Sequence, residues 1–204
     1  MDALKHWDLI YGTKAPETVS WFRPHLETSL GLIERLAPNR SAEIIDVGGG
    51  ESTLVDDLLA RGFQNLTVLD VSGTALEATR ERLGPTGHGV CWLVANMTQA
   101  RMTPDSYDVW HDRAAFHFLT EPGQRTAYVE RAASAVKPGG HILISTFGLE
   151  GPPRCSGLDV VRYDAETLQR EFGASFRLVD SLTELHHTPS GSCQQFTYCT
   201  LQKT

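Results

Sequence analysis

The stretch Ile44-Ile45-Asp46-Val47-Gly48-Gly49-Gly50-Glu51-Ser52 constrains what this chain can fold into more than any other. An apolar pair runs into an acid, then three glycines, then polar residues and the amphipathic run Leu54-Val55-Asp56-Asp57-Leu58-Leu59. The pattern predicts a buried strand, a tight turn and the start of a helix. Glycines at such a turn allow positive φ and let a ligand lie against the main chain with no Cβ in the way. The helix that follows aims free N–H groups at the same place. The stretch reads as a cradle for a nucleotide-type ligand.

Length bounds the rest. With 204 residues and 41% hydrophobic content, one compact domain with a real core is expected over residues 1–204. A net charge of −7 gives no bulk basicity, so no nucleic-acid partner is expected. No apolar run approaches the roughly 18 residues that a membrane-spanning helix needs, and the first twenty residues lack the apolar core of a secretory signal. Cys91, Cys155, Cys193 and Cys199 form no CxxC pair and no tight ligand spacing, which fits reduced thiols in a cytoplasmic protein and no metal site. His186, His187, Cys193 and Cys155 leave a soft-metal site conceivable in type only, because their spacing is not compact.

The chain opens with aromatic residues at high density, Trp7, Tyr11, Trp21 and Phe22 among them. They read either as an ordinary packed helical face or as a lid, over residues 1–28, that covers a ligand on the cradle. Ser29 to Leu36 carries Leu30, Ile33 and Leu36 at helical spacing. Leu66-Thr67-Val68-Leu69-Asp70 then reads as a second strand ending in an acid, twenty residues after Gly50. In a strand–helix–strand unit a carboxylate there can accept from both ribose hydroxyls of an adenosine. Ser72 is expected to cap the next helix. Val90 to Val94 reads as a third strand, and Asn96 and Met97 just beyond it suit an adenine, one at its edge and one on its face.

Tyr107 to Arg113 gives a fourth strand, a helix runs from about Gly123 to Val136, Pro138-Gly139-Gly140 is a turn, and His141 to Phe147 is a fifth strand. Strands alternating with helices predict a doubly wound α/β fold with a mostly parallel sheet. Gly148 to Arg162 is loop-like, Asp164 opens a helix that closes at Gly173, and Phe176–Leu185 with Gln194–Leu201 forms a terminal antiparallel hairpin.

Taken together, Asp46, Gly48 and Gly50, Asp70 closing strand two, the Lys137-Pro138-Gly139-Gly140 turn and the final hairpin resemble a class I S-adenosylmethionine-dependent methyltransferase over nearly the whole chain. The stretches around His6-Trp7-Asp8, Asp112-Arg113-Ala114 and Cys155-Ser156-Gly157 resemble a bacterial branch of small methyltransferases with mostly unassigned substrates. The resemblance implies a Rossmann-like sheet of seven strands in the order 3-2-1-4-5-7-6 and S-adenosylmethionine as cofactor. It also implies that Asp46, Gly48 and Gly50 shape the methionine end, Asp70 with Val71 holds the ribose, and Asn96 with Met97 flanks the adenine. Trp7, Tyr11 and Trp21 would cover the cofactor, and Asp112 would lie beside the methyl group. Two departures stand out: Ser52 replaces a third glycine, and Asn96 stands where relatives carry Asp.

Methyl transfer from a sulfonium needs alignment and exclusion of water, and a base only when the acceptor is protonated. His117, five residues after Asp112, is the candidate base, although a histidine between two phenylalanines is more often packed. Arg113, Arg162 and Tyr163 are candidates to meet an anionic acceptor, with surface pairing as their ordinary use. A small-molecule acceptor is expected, with a protein lysine as the alternative. Two readings of other classes remain: a non-catalytic cofactor-binding partner subunit, and a nicotinamide-dependent oxidoreductase, against which the Asp-x-Gly-x-Gly loop speaks.

Overall fold

Ile44, Ile45 and Val47 are almost sealed from solvent because β1 (Glu43–Val47) lies inside a sheet, paired in parallel with β2 (Asn65–Asp70) on one side and β4 (Tyr107–Arg113) on the other. The computed structural model describes residues 3–204. Among them one sheet of seven strands runs β3-β2-β1-β4-β5-β9-β8, with β3 (Cys91–Val94), β5 (Val136–Phe147), β8 (Phe176–His187) and β9 (Cys193–Lys203). Only β9 turns against its neighbours, pairing antiparallel with both β5 and β8. A separate hairpin, β6 (Arg154–Cys155) with β7 (Leu158–Asp159), stands outside the sheet. The main sheet therefore has the expected order, its last two strands being β9 and β8.

The alternation of β1 divides the core in two. Ile44 joins Leu66, Val68 and Val109 beneath α2 (Glu27–Leu36) and α3 (Leu54–Ala60), where Leu30, Ile33, Leu54 and Leu58 cover the sheet. Ile45 and Val47 face the opposite way, towards Trp110, Ile142 and Ile144, under α5 (Pro122–Ala135) and α6 (Ala165–Phe172). A strand covered on both faces by helices needs apolar side chains on both, here Ile44 on one and Ile45 with Val47 on the other. Helix α4 (Gly73–Leu83) starts at Ser72, whose Oγ accepts from the Ala75 N–H as expected, and α6 starts at a capping box formed by Asp164 and Thr167.

Two local expectations need correction. Pro138-Gly139-Gly140 is not a free turn: it lies within β5 as a bulge, where the ladder jumps from Tyr107↔Val136 to Val109↔His141 and Gly139 takes φ +77°. Gly148 to Arg162 is not featureless, because its middle folds into the β6–β7 hairpin around Ser156 (φ 49°) and Gly157 (φ 80°). Two-residue strands are too short to leave a period in a sequence. The N-terminal aromatic run begins as a helix, α1 (Ala3–Thr13), tied to α4 by the Ser72 Oγ donating to Asp8 Oδ1 at 2.6 Å. None of the helices is long and apolar enough to cross a membrane, among the described residues.

Candidate functional site

The carboxyl ends of β1, β2 and β3 and the segment after β4 meet α1 around a cavity of about 450 Å³. That volume falls in the range of small-ligand sites, and open α/β sheets bind ligands at this edge. Gly48, Asp70, Val71, Asn96 and Met97 line one part, and Trp7, Tyr11 and Trp21 cover it. The structure thus brings together eight of the residues singled out in the sequence. Gly50 stands just behind this wall: a Cβ there would fall 2.6 Å from Tyr11 Oη and 3.2 Å from Asp70 Oδ2, at φ +43°. Gly48 is as constrained, because a Cβ would meet Ala115 Cβ at 2.5 Å with φ +70°. Gly48→Ala should therefore cost about 3 kcal/mol through overpacking and left-handed strain, read as a fall in Tm of roughly 5 to 10 °C. An unchanged melting curve would remove the steric argument.

Asp70 is 5% exposed, and its Oδ1 accepts from the Ser72 N–H at 2.8 Å. Burial pushes its carboxyl up to about 7, with backbone N–H groups pulling the other way and Asp46 adding to the rise. Such a carboxylate can accept more than its backbone N–H partners offer, and on its cavity side two ribose hydroxyls would add donors. Asn96 has already committed its carbonyl: Oδ1 accepts from the Thr98 N–H at 2.9 Å and from Thr98 Oγ1 at 2.8 Å. That leaves its NH₂ as the group to offer a base edge, rather than the two-sided exchange that an amide permits in principle.

Asp46 lies one layer deeper, against a small cavity of about 50 Å³ that also touches Gly48, His111 and Arg113. His111 is 1% exposed and donates from Nδ1 to Asp46 Oδ1 at 2.7 Å, while its Nε2 is hydrogen-bonded with Ser29 Oγ at 2.9 Å. This direction follows from the carboxylate, which can only accept while ionised. His111 and Ser29 were not singled out by the sequence reading. A histidine in mid-strand gives no local signal that it braces the acid across the sheet.

The two expected catalytic groups sit elsewhere. Asp112 is fully buried and does not line the cavity. Its carboxylate accepts from the N–H groups of Ala115 (2.9 Å) and Phe116 (3.1 and 3.2 Å) and from Tyr128 Oη at 2.7 Å. Burial raises it to about 6 against those bonds. It anchors the turn that follows β4, where Ala114 takes φ 67°, and so sets Ala114, Ala115 and Phe118 on the cavity wall. His117 is also sealed: its Nδ1 accepts from the Phe147 N–H at 3.3 Å, and Nε2 is buried without a partner. Burial, helped by Arg113, drives its pKa down to about 3, so it is neutral and cannot meet a proton in the cavity. Replacing His117 by Gln should leave turnover within about threefold and its pH profile in place, since geometry, not basicity, is what the ring provides. Loss of one limb of the profile would restore it as a base.

Wall residues that sequence reasoning did not assign are Phe118, Leu119, Leu158 and Cys155. Trp7 meets Phe118 edge to face at 5.1 Å and Trp21 at 5.8 Å, forming an aromatic cluster at this end. His186 is turned away, with Nε2 donating to the Ser20 carbonyl at 2.7 Å, and Cys193 is exposed.

Comparison with known proteins agrees with this geometry. Residues 44–140 match a family described as a methyltransferase domain. The ubiquinone biosynthesis O-methyltransferase of Vibrio cholerae is 27% identical over 147 residues, covering 71% of this chain and 56% of that protein. The chain thus spans little more than half the length of that relative. A structure solved for the conversion of a disulfide bond into a thioacetal group during echinomycin biosynthesis superposes over 98% of this chain and 91% of its own, with a TM-score of 0.76 at 16% identity. The 1,6-didemethyltoxoflavin-N1-methyltransferase of Burkholderia thailandensis, solved with 1,6-didemethyltoxoflavin and S-adenosylhomocysteine, gives a TM-score of 0.68 at 19% identity over 87% of this chain and 77% of that one.

Proposed function

We propose that this chain is a class I S-adenosylmethionine-dependent methyltransferase and that it methylates a small molecule that enters beneath its N-terminal helix. The observation that carries this reading is the closure of the cavity at one end by Trp7, Trp21 and Phe118, which leaves a pocket of small-molecule size. The name of the Vibrio relative and the 1,6-didemethyltoxoflavin held by the Burkholderia enzyme support it. The alternative acceptor, a protein lysine, would have to thread a side chain under α1.

The residues fit the cofactor. Asp70 lines the cavity as a buried acceptor to which two ribose hydroxyls could add their donors, and Gly48 keeps the main chain close to the cavity wall at Ala115, where a Cβ would collide. The NH₂ of Asn96 would be offered to the edge of an adenine, and Met97 would pack on its face. S-adenosylmethionine supplies a methyl group on a positive sulfur, an electrophile that needs alignment more than acid–base help. The protein orients both partners and excludes water: α1 with residues up to 28 serves as a lid, latched through Asp8 and Ser72. Asp112 is a positioning residue that holds the post-β4 turn against the site.

The test is a methyl-labelled cofactor added with the protein to cell extract, followed by separation of protein from metabolites. Label in the metabolite fraction is expected. Label confined to protein overturns the acceptor class, and S-adenosylhomocysteine binding with label in neither fraction points to a non-catalytic subunit.

Free-protein Asp70 is largely protonated below pH 7 and must release its proton to receive two hydroxyls. Affinity for S-adenosylhomocysteine should therefore be highest above pH 7 and fall by up to about tenfold per unit below it. A flat affinity between pH 5.5 and 8 would contradict the ribose assignment.

A further inference from the structure

Beyond its cap, helix α4 meets the glycine turn a second time. Thr79, fully buried, donates from Oγ1 to the Gly50 carbonyl at 2.8 Å. Arg82, three residues on, spans the end of the loop: Nη1 donates to the Glu51 carbonyl at 3.1 Å and Nη2 to the Ser52 carbonyl at 2.8 Å. The same guanidinium is held in a fork by Asp56 of α3, with Nε 3.1 Å from Oδ1 and Nη2 2.7 Å from Oδ2. Positions three apart share a helix face, so one face of α4 grips three successive carbonyls of the loop. Carbonyls in irregular backbone need partners from elsewhere, and α4 supplies them. The grip includes Ser52, which replaces a third glycine.

The consequence reaches Asp70, whose carboxylate lies between two groups that α4 fixes. On one side the Ser72 N–H, at the cap of the helix, donates to Oδ1 at 2.8 Å. On the other stands Gly50, so close that a Cβ would fall 3.2 Å from Oδ2. We propose that Thr79 and Arg82 are positioning residues for cofactor binding, which hold the Gly50 peptide against Asp70 and so aim the oxygens that receive the ribose. The proposal rests on the ribose assignment made above and adds how the acid is set. Burial raises the Asp70 carboxyl most, and the N–H groups of Ser72 and Gly50 pull it back. The titratable groups that face it are Asp46 of β1, which adds to the rise, and two from α1: Asp8 through Ser72 Oγ, and Tyr11, whose Oη shares the Gly50 contact. Replacing Thr79 by Val changes none of these charges, so a displaced titration of Asp70 would report the Gly50 N–H.

The test is calorimetric titration with S-adenosylhomocysteine from pH 6 to 9, on the unmodified protein and on Thr79→Val, Thr79→Ser and Arg82→Met. Thr79→Val keeps the shape of the side chain and loses its hydroxyl. It should bind about threefold more weakly at pH 9 and at least about sixfold more weakly at pH 6.5, the midpoint of the affinity profile moving up by about half a unit. Thr79→Ser, which keeps the donor, should restore both readings to within about twofold of the parent. The Arg82 side chain is 33% exposed, so Arg82→Met should still unfold in one cooperative transition. It should bind at least about threefold more weakly, with its midpoint displaced in the same direction. Should Thr79→Val fail to fold, Arg82→Met decides by the same two readings. Parent affinity in either folded variant overturns the proposal. A loss equal at every pH, with the midpoint unmoved, also overturns it and leaves the two residues as supports of the fold alone. An unmodified protein whose affinity is flat with pH overturns the ribose assignment first, and one that takes no S-adenosylhomocysteine overturns the cofactor reading first, each carrying this proposal with it.

Discussion

Replacing Asp70 with Asn should make the free protein more stable and, in the same variant, weaken S-adenosylhomocysteine binding about a hundredfold. Both effects come from one buried carboxyl. Hydrogen bonds from two hydroxyls to a carboxylate contribute about 1.5 to 3 kcal/mol each, and losing about 3 kcal/mol of that total corresponds to the hundredfold change. In the free protein the same carboxylate is an expense, because burial raises it from 3.8 to about 7. The folded state then holds the proton more tightly than the unfolded chain between about pH 4 and 7, so its contribution to stability declines as pH rises through that window. The full ionisation cost above pH 7 is on the order of 4 kcal/mol. Asparagine keeps the bond from the Ser72 N–H and never ionises. A rise in Tm of at least about 5 °C at pH 8, vanishing near pH 4, is expected from thermal unfolding. Unchanged Tm at pH 8 would sink the burial argument, and unchanged affinity would sink the ribose assignment.

The second large effect belongs to Asp112. Its removal to Ala strands the buried N–H of Phe116, the half-buried N–H of Ala115 and the buried hydroxyl of Tyr128, which also accepts from Trp110 Nε1 at 2.9 Å. At about 1 kcal/mol or more for each orphaned group, Asp112→Ala should lose about 3 kcal/mol and lower Tm by roughly 5 to 10 °C. Asp112→Asn, which can still accept from both N–H groups, should stay within about 1 kcal/mol of the parent and keep turnover within about threefold. The conservative variant is the decisive one. If it folds normally, binds S-adenosylhomocysteine and fails to transfer methyl, Asp112 touches the acceptor after all.

The contrast between these two acids shows how far the sequence could be read. Asp70 ends a short β-rich run after a glycine turn, and that spacing alone places it at the sheet edge where ligands lie. Asp112 ends a strand at the same edge and has the same local signature, yet the chain turns back over it, so that its oxygens cap the next segment. Whether a strand-end acid faces a cavity or the turn after it depends on the φ 67° conformation of Ala114, which no period records. The alternation in Ile44-Ile45-Asp46-Val47 fixes two core faces and hence the doubly wound sheet, whereas the strand order came from family resemblance. Cys155 and Leu158 reach the wall only through a two-residue hairpin, too short to be seen in advance. The buried pair His111–Asp46 joins residues 65 positions apart, a contact that only the sheet register creates.

The most direct test of the central claim is a calorimetric titration of the unmodified protein with S-adenosylhomocysteine at pH 6 and pH 8, in buffers of differing ionisation enthalpy, with NAD in parallel. Saturable one-site binding should appear with S-adenosylhomocysteine and none with NAD, with proton release at pH 6 as Asp70 ionises and almost none at pH 8. Binding of NAD in place of S-adenosylhomocysteine, or of neither, would contradict the assignment of this cavity.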